Sequence, residues 1–330
     1  NGGQPNAEQT AELQAAVAAT GLEAERFNAI AQAAANDPVL QARYQRIRAK
    51  LIGYLSDPKD TLKAYPLTDN SPPARVARAY AFHKLAEPDK AIAELDAMIA
   101  APTSPAAGLL VCPPATLLAA FAERAKGSAV GIGAQDCHHE DGGAHTGDIS
   151  AAMVADAGAT FVILGHSERR TGHGESDALV RAKAAEAFAA GLKVILCCGE
   201  SSETRGSGNA TAFIKQQLTA SLPPADTLPA DIAERLTIAY EPIWAIGSGT
   251  PATTDDIAEM HGEIRALLIE LLGAEDGAQV RILYGGSVKP DNAAAIFAVP
   301  DVGGALVGGA SLTADSFMGI ALAASEPFDN

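Results

Sequence analysis

The spacing of hydrophobic residues divides the chain into two stretches with different patterns. In residues 1–101, apolar residues recur at helical intervals among Ala, Glu and Lys, and only the run 50–55 is strand-like. Pro-containing pairs interrupt this stretch, and the residue before a proline avoids the helical region of backbone space. We therefore predict a helical N-terminal region over residues 1–104, followed by a second domain over 105–330.

One segment of the helical region has a more specific pattern. Residues 75–100 split at Pro88 into two short amphipathic helices, which is similar to one tetratricopeptide-like hairpin. Such repeats need about three stacked copies to bury their faces, and no second copy follows. An ordinary helical hairpin is the simpler interpretation of 75–100.

From about residue 105 onwards, short apolar runs alternate with Gly- or Pro-marked loops and Ala-rich helical segments. We count seven candidate strands, at 109–112, 129–134, 161–164, 194–197, 236–239, 280–283 and 305–307. Continuous apolar strands separated by helices predict an α/β fold with a parallel sheet covered by helices. The open doubly wound sheet and the closed eight-stranded barrel both fit this pattern. Because no G-x-G-x-x-G follows the first of these strands, we predict the (β/α)8 TIM barrel.

Composition narrows the function classes. The chain has 24 Lys and Arg against 40 Asp and Glu, a net charge of -16, which repels nucleic acid and anionic lipid. We find no apolar run of the ~18 to 20 residues that a spanning helix needs, and no basic, apolar leader. The four cysteines include the adjacent pair Cys197 and Cys198, which favours free thiols in a reducing compartment. We expect a cytoplasmic protein with no membrane or nucleic-acid partner.

Two polar residues stand at predicted strand ends, where barrels of this kind place their reacting groups. His166 follows the strand 161–164, and the start of a following helix would keep its imidazole neutral. Glu241 follows the strand 236–239 and precedes a lid-like segment, 242–250, with the chain's single Trp. Considered alone, His166 could equally be a histidine of a surface loop, and Glu241 could be a glutamate that caps a helix.

Glycine pairs follow the next two strands, at 285–286 and 308–309. Glycines at strand ends let backbone N–H groups approach a ligand, and the loops after the last two barrel strands often bind phosphate. Plain tight turns are the alternative. These features together predict one site with a base, a neutral electrophile, a lid and an anion-binding loop. Such a site suits proton abstraction beside a carbonyl in a phosphorylated substrate.

The region 109–324 resembles the triosephosphate isomerase family. Eight blocks occur in family order: VCPP at 111–114, GAQD at 133–136, GAHTGDIS at 143–150, GHSERR at 165–170, CGE at 198–200, YEPIWAIG at 240–247, YGGSV at 284–288 and VGGA at 307–310. The resemblance implies interconversion of dihydroxyacetone phosphate and D-glyceraldehyde 3-phosphate in glycolysis and gluconeogenesis. It implies neither a metal nor an organic cofactor, and it implies a homodimer.

The resemblance also implies a role for each matching residue. Glu241 would move the proton between the substrate carbons, neutral His166 would polarise the carbonyl, and Glu168 would orient neighbouring groups. The substrate and its phosphate would be held by Gly247, Ser287, Gly308, Gly309 and Ser167. The lid would comprise Pro242, Ile243, Trp244, Ala245, Ile246, Ser248, Gly249 and Thr250. In the dimer, a loop with Thr146 and Gly147 would reach the partner subunit.

One family feature is missing from this sequence. The family's first strand ends in an Asn-x-Lys block whose lysine neutralises the substrate phosphate, and nothing in residues 1–108 matches it. The helix within 75–100 fits the position directly before the strand at 109. The run 50–55 is then the one candidate to replace the missing first strand, and Lys59 is the nearest cation that could replace its lysine. Alternatively, the N-terminal region plugs the gap, another chain supplies the strand, or a truncated barrel is joined to unrelated sequence.

Three functional hypotheses remain from the sequence. The first is a working isomerase that uses Glu241 and His166. The second is a triose-phosphate-binding pseudoenzyme, impaired because the active-site lysine is absent; losing one such group commonly costs on the order of 100- to 1,000-fold in rate. The third is a scaffold or interaction protein whose helical N-terminus recruits a partner.

Overall fold

Six parallel strands form a curled sheet at the centre of the structure. The structure, a computed structural model, describes residues 88–101, 107–246 and 251–324; the predictions for 1–87, including the run 50–55 and Lys59, lie outside the described residues. Each strand pairs with the strand that follows it in the chain. The strands are β1 (Leu109–Val111), β2 (Val130–Ala134), β3 (Phe161–Leu164), β4 (Lys193–Cys198), β5 (Leu236–Tyr240) and β6 (Arg281–Tyr284).

Helices connect the strands, as parallel pairing requires. They are α1 (Pro88–Ile99), α2 (Leu118–Ala125), α3 (Ala151–Asp156), α4 (Ser167–Gly172), α5 (Asp177–Ala189), α6 (Ser202–Gly206), α7 (Ala210–Ser221), α8 (Ile232–Arg235), α9 (Thr254–Leu272), α10 (Ala274–Gln279), α11 (Ala293–Phe297) and α12 (Ala314–Leu322). Among the described residues, no helix combines the length and the apolarity that a membrane crossing requires.

Both faces of the sheet are buried. Successive strand side chains point to opposite faces, so Val162 and Leu164 pack against the surrounding helices. Ile163, Ile195 and Cys197 belong to a second cluster on the other face of the sheet. The strands are therefore mostly apolar rather than alternating, and the cluster of Ile163, Ile195 and Cys197 fills the inside of the curl. This arrangement confirms the predicted (β/α)8 barrel fold.

The seventh predicted strand is shorter than its apolar pattern suggests. Of residues 305–307, only Ala305 forms a parallel bridge, to Tyr284. Tyr284 N–H donates to Gly304 O at 3.0 Å, and Leu306 N–H donates to Tyr284 O at 3.0 Å. Within the described part of the chain, no strand pairs with the other edge of this segment.

Helix α1 packs against α2, which follows β1, and against α12, the last described helix. Its Leu95 is buried in the main core, and its Met98 packs with Ala314 and Met318. Ala314 N–H at the start of α12 donates to Glu94 Oε2 at 2.6 Å. Helix α1 thus occupies the position before β1 that the sequence suggested for a helix within 75–100. The boundary placed near residue 104 stays a prediction.

Side-chain caps fix where several helices begin. The Ser150 and Ser176 hydroxyls accept from the third residue of α3 and α5, which satisfies a backbone N–H that the helix leaves unpaired. Thr253 forms a reciprocal capping box with Asp256 at the start of α9. This capping box fixes where α9 begins, at Thr254.

Candidate active site

Glu241 lies at the carboxyl end of β5, inside the barrel. Its backbone N–H donates to Cys198 O at 2.7 Å, and Gly285 N–H donates to Tyr240 O at 2.7 Å. These bonds continue the pairing of β5 with β4 and β6 to the very end of the strand. The residue is only 2% exposed. A carboxylate at this depth needs hydrogen-bond donors.

Two glycines make room for Glu241. A Cβ on Gly199 would lie 1.9 Å from Glu241 O, and a Cβ on Gly285 would lie 2.9 Å from Glu241 Cγ. Backbone and side chain of Glu241 therefore fit only because residues without side chains follow the two neighbouring strands.

His166 precedes α4 and is fixed by the start of that helix. Its Nδ1 atom accepts the backbone N–H of Glu168 at 3.2 Å. A nitrogen that accepts carries no proton, so the proton of the uncharged ring is on Nε2. His166 Nε2 lies 3.1 Å from Glu241 Oε1. The imidazole thus presents an N–H donor towards the carboxylate and the barrel mouth.

Ser167 supplies the other two donors to Glu241. Its hydroxyl donates to Oε1 at 2.8 Å, and its backbone N–H donates to Oε2 at 3.0 Å. The chain brings these residues together across 74 positions, because β3 and β5 end at the same side of the sheet. Three donors satisfy a buried carboxylate that would otherwise be costly. The sequence assigned Ser167 to substrate binding; in this structure its side chain holds Glu241.

Glu200 is a buried carboxylate for which the sequence suggested no role. It is 0% exposed and lies just after β4. Its Oε1 accepts from Trp244 Nε1 at 2.8 Å and from Tyr240 Oη at 3.0 Å. The Arg205 guanidinium stacks 4.5 Å from the centre of the Trp244 ring. Burial, and then the Glu200 charge, raise the pKa of Tyr240 well above its usual range, so the phenol stays a donor.

The described part of the lid, 242–246, is thereby tied to the barrel through Trp244. The signal that was available for Glu200 is its position: like Glu241, it is an acidic residue within three positions of the end of a predicted strand.

The charged residues of the GHSERR block form no ion pair or hydrogen bond with the Glu241 side chain among the described residues. Arg170 donates to Asp177 at 2.6 Å and to Gly165 O at 2.8 Å. Arg169 pairs with Asp136 at 2.8 Å. Glu168 is exposed, and within the described residues its carboxylate has no ion-pair or hydrogen-bond partner. Among the described residues, no Lys or Arg forms an ion pair with Glu241.

The residues predicted to bind phosphate lie in loops after β6 and after the bridged segment. Ser287, Gly308 and Gly309 are exposed, and Gly309 begins a short 3-10 turn, Gly309–Ser311. Ser311 N–H donates to Gly308 O at 2.9 Å, which shapes this turn. The remaining predicted lid and phosphate residues, Gly247, Ser248, Gly249 and Thr250, lie outside the described residues. Thr146 and Gly147 are exposed in the loop after β2.

We expect Gly199→Ala to displace Glu241. The added Cβ meets a backbone oxygen, which cannot rotate away. Overpacking of this kind costs typically about 1–3 kcal/mol, and a shift of ~1 Å in a catalytic group costs about 100-fold in rate. Turnover assays and urea unfolding measure both effects. Gly262→Ala is the control, since a Cβ there meets no other residue within 4 Å. Equal activity of Gly199→Ala and the parent would contradict the close approach.

Comparisons with known proteins agree with this geometry. A family model described as triosephosphate isomerase matches residues 80–324. A triosephosphate isomerase from Bradyrhizobium diazoefficiens is 54% identical over 231 residues, 69% of this chain and 90% of the relative. Another, from Acidiphilium cryptum, is 55% identical over 227 residues, 68% of this chain and 89% of the relative.

A solved structure is similar as well. The crystal structure of triosephosphate isomerase from Bartonella henselae superposes with a TM-score of 0.65 at 44% identity, covering 71% of this chain and 92% of that one. The match of the family model includes the strand ends that hold His166, Glu200 and Glu241. The chain therefore belongs to the triosephosphate isomerase family and is an enzyme of the isomerase class.

Proposed function

We propose that this chain interconverts dihydroxyacetone phosphate and D-glyceraldehyde 3-phosphate through an enediolate, as a step of glycolysis and gluconeogenesis. The observation that supports the proposal most is the pairing of a buried carboxylate, Glu241, with the Nε2 atom of His166 at 3.1 Å. Both groups lie where barrel enzymes carry out their chemistry. Triosephosphate isomerases are known to use a glutamate base beside a neutral histidine, with loop closure over the site, and the present pair has that composition.

Glu241 is the proposed base. It would take the proton from one substrate carbon and return it to the neighbouring carbon. In the observed arrangement, Ser167 and His166 occupy both carboxylate oxygens. A substrate that enters the barrel mouth therefore has to displace Ser167 from one oxygen before that oxygen can accept a carbon-bound proton.

His166 is the proposed electrophile. Its Nε2–H would donate to the substrate carbonyl oxygen and move a proton between the two substrate oxygens. The backbone N–H of Glu168 holds Nδ1 in its unprotonated form, so the ring offers its single proton at Nε2. A fixed donor aimed at developing negative charge stabilises the transition state without reorganisation.

The lid residues are proposed to exclude water over this pair. Trp244 and Ala245 would cover the site, with Pro242 at one end and Gly247, Ser248, Gly249 and Thr250 at the other. Glu200 fixes the observed position of Trp244 through one hydrogen bond. Closure of the lid would then exchange this bond for contacts with the bound substrate.

We propose that backbone N–H groups around Gly247, Ser287, Gly308 and Gly309 hold the substrate phosphate. Glu168 would orient polar groups near the substrate; its exposed carboxylate leaves it available for a partner from outside the described residues. We also propose a cytoplasmic homodimer in which Thr146 and Gly147 contact the partner subunit.

One observation favours a second candidate function, an impaired enzyme that binds triose phosphates. The Asn-x-Lys block is absent from residues 1–108, and in the described ranges no Lys or Arg pairs with Glu241. Losing one preorganised charge commonly costs about 3 kcal/mol or more. A cation from outside the described residues, with Lys59 as the nearest candidate in the sequence, would restore the faster reaction.

A coupled assay of glyceraldehyde 3-phosphate turnover by the purified 330-residue chain tests the proposal. We expect turnover above the buffer rate, and we expect His166→Gln to lower kcat about 100- to 1,000-fold, because an amide cannot move a proton between the two substrate oxygens as the imidazole does. His173→Gln is the control: this exposed residue lies at the end of α4 and is expected to keep the parent's rate.

A folded parent that does not exceed the buffer rate would contradict the isomerase proposal. Calorimetric titration with dihydroxyacetone phosphate then separates the remaining hypotheses. Binding would support the triose-phosphate-binding pseudoenzyme, whereas no binding would support the scaffold.

A further inference from the structure

Arg170 lies in α4 and joins the ends of two strands. Its Nε–H donates to Gly165 O at 2.8 Å, directly after β3, and its Nη2–H donates to Cys197 O at 3.3 Å, on β4. The last pair that β3 and β4 form with each other is Leu164 with Leu196, one residue earlier on each strand. The guanidinium therefore bridges the two strands at the point where their own pairing ends.

The rest of the Arg170 guanidinium is held by two further side chains. Its Nη1 atom donates to Asp177 Oδ1 at 2.6 Å, and Nη2 donates to Ser221 Oγ at 3.0 Å. The Ser221 hydroxyl donates in turn to Asp177 Oδ1 at 3.1 Å. Only 12% of the Arg170 side chain is exposed. Because a planar guanidinium directs its donors in fixed directions, the carbonyl oxygens that it binds are held in place as well.

Gly165 leaves the space that this guanidinium needs. The φ angle of Gly165 is 67°, in the left-handed region, and a Cβ there would lie 2.9 Å from Arg170 Nη2. A side chain at this position would therefore press on Arg170 and strain the turn from β3 into α4. The glycine and the last arginine of the GHSERR block are thus fitted to each other.

The two bound carbonyl groups adjoin the proposed reacting residues. The Gly165 carbonyl belongs to the peptide bond that leads to His166. Cys197 precedes Cys198, whose backbone O accepts the Glu241 N–H at 2.7 Å. Burial, and then the Glu241 charge, raise the pKa of the Cys197 thiol, so this thiol stays neutral near the carboxylate. One guanidinium therefore binds the backbone next to both members of the reacting pair.

We propose that Arg170 is a positioning residue, which sets the distance between His166 and Glu241 by holding the ends of β3 and β4. Among the described residues, no hydrogen bond or ion pair joins its guanidinium to either reacting side chain, so it acts through the backbone. The inference rests on the proposed isomerase reaction. It assigns the 3.1 Å approach of His166 Nε2 to Glu241 Oε1 to the two bonds from Arg170.

Turnover assays and calorimetric titration with glycerol 3-phosphate test this role. Glycerol 3-phosphate carries the phosphate but has no carbonyl group, so it binds without reacting. We expect Arg170→Met to lower kcat about 100-fold, because a shift of ~1 Å in a catalytic group has that effect. We expect its affinity for glycerol 3-phosphate to stay within about threefold of the parent, because the proposed phosphate loops follow other strands.

A second variant serves if Arg170→Met does not fold. Arg170→Lys keeps a positive charge beside Asp177 but lacks the planar fork that reaches both carbonyl oxygens. We therefore expect Arg170→Lys to be more stable than Arg170→Met and to lower kcat about tenfold.

Arg235 offers a matched control at the opposite ends of the strands. Its Nη2 atom donates to Phe188 O at 2.6 Å and to Leu192 O at 2.9 Å, and its side chain is 15% exposed. Arg235→Met therefore removes the same kind of carbonyl bridge, but before β4 and β5 begin. We expect a loss of stability in urea similar to that of Arg170→Met and a parent-like kcat, because barrel enzymes react at the carboxyl ends of their strands.

The imidazole signal of His166 keeps the test independent of turnover. In the ligand-free, ¹⁵N-labelled chain, His166→Gln identifies this signal, and we expect Arg170→Met to change it and Arg235→Met to leave it unchanged. If the parent shows no turnover, the isomerase reaction is wrong, and the His166 signal alone decides whether Arg170 holds the strand ends.

Two results would overturn the positioning role. The first is a His166 signal in folded Arg170→Met that equals that of the parent. The second, with an active parent, is a kcat of Arg170→Met within about threefold of the parent or an equal loss of kcat in Arg235→Met.

Discussion

Replacing Glu241 with glutamine is expected to lower kcat/KM for glyceraldehyde 3-phosphate by about 100- to 10,000-fold, the usual contribution of a general base. Gln keeps the length and shape of the side chain but cannot accept a proton from carbon. In the parent, three donors from Ser167 and His166 meet the carboxylate. An amide group offers those donors a single oxygen, so we expect the His166 Nε2–H to lose its acceptor.

A second variant separates the charge of Glu241 from its position. Glu241→Asp keeps the carboxylate but moves it back by one methylene, a displacement of the order of 1 Å that costs about 100-fold in rate. Glu123→Gln is the matched control, because Glu123 is an exposed residue of α2 and pairs only with exposed Lys126 in the described residues. Coupled turnover assays at several substrate concentrations measure kcat and KM for each variant.

The kinetic constants of the two variants together decide whether Glu241 acts as the base. A base predicts a loss in kcat for both, with Glu241→Gln the slower. If folded Glu241→Gln stays within tenfold of the parent, Glu241 is not the base, and the proposed mechanism fails. A rise in KM with kcat unchanged in both variants would instead assign Glu241 to substrate binding.

Much of the fold could be predicted from the sequence because the strands are buried on both faces. A strand such as β3 is a continuous apolar run, since Val162 packs against helices and Ile163 packs inside the barrel. Such runs located six strands to within one or two residues. Residues 305–307 have the same pattern, yet form only one bridge, to Tyr284, which the apolar pattern alone does not indicate.

The candidate site was predictable in its positions but not in its contacts. His166 and Glu241 stand at strand ends, and that position alone indicates the barrel mouth. The bond from Ser167 to Glu241 and the bond from Trp244 to Glu200 join residues 74 and 44 positions apart. Those contacts depend on how the parallel strands align in register, which local patterns do not specify.

A buried network of ion pairs beside the site was also not predictable, because no local sequence pattern indicates which charged residues meet. Lys183 lies on α5, and its side chain is only 5% exposed. Its Nζ atom contacts Asp136 Oδ1 at 2.7 Å and Glu175 Oε1 at 2.6 Å. Arg169 of α4 also donates to Glu175, at 2.7 Å. The network therefore joins the helix that follows His166 to the loop after β2.

Lys183→Met is expected to lower the free energy of unfolding by about 3–5 kcal/mol, because it leaves buried carboxylates with too few positive partners. For a barrel of this size, such a loss lowers Tm by roughly 10 °C. Urea unfolding followed by circular dichroism measures the change. Lys126→Met makes the same substitution in an exposed ion pair with Glu123, and we expect a loss of at most about 1 kcal/mol there.

The pH dependence distinguishes lost charge from lost packing. Burial alone would raise the pKa of Glu175, but hydrogen bonds and charges from Lys183 and Arg169 outweigh burial and lower it. A carboxyl with a lowered folded-state pKa contributes stability above its ordinary pKa of 4.5, and this contribution is lost as the pH falls. The difference between parent and Lys183→Met should therefore shrink in acid.

A double variant gives the sharpest test of the network. In the Lys183→Met background, Glu175→Gln removes the buried charge that has lost its main partner, and we expect it to restore at least about 1 kcal/mol. In the parent background, the same Glu175→Gln breaks a satisfied pair and should destabilise the protein. If Glu175→Gln destabilises both backgrounds equally, Lys183 stabilises the barrel through packing of its aliphatic stem, and the charge-pairing explanation is wrong.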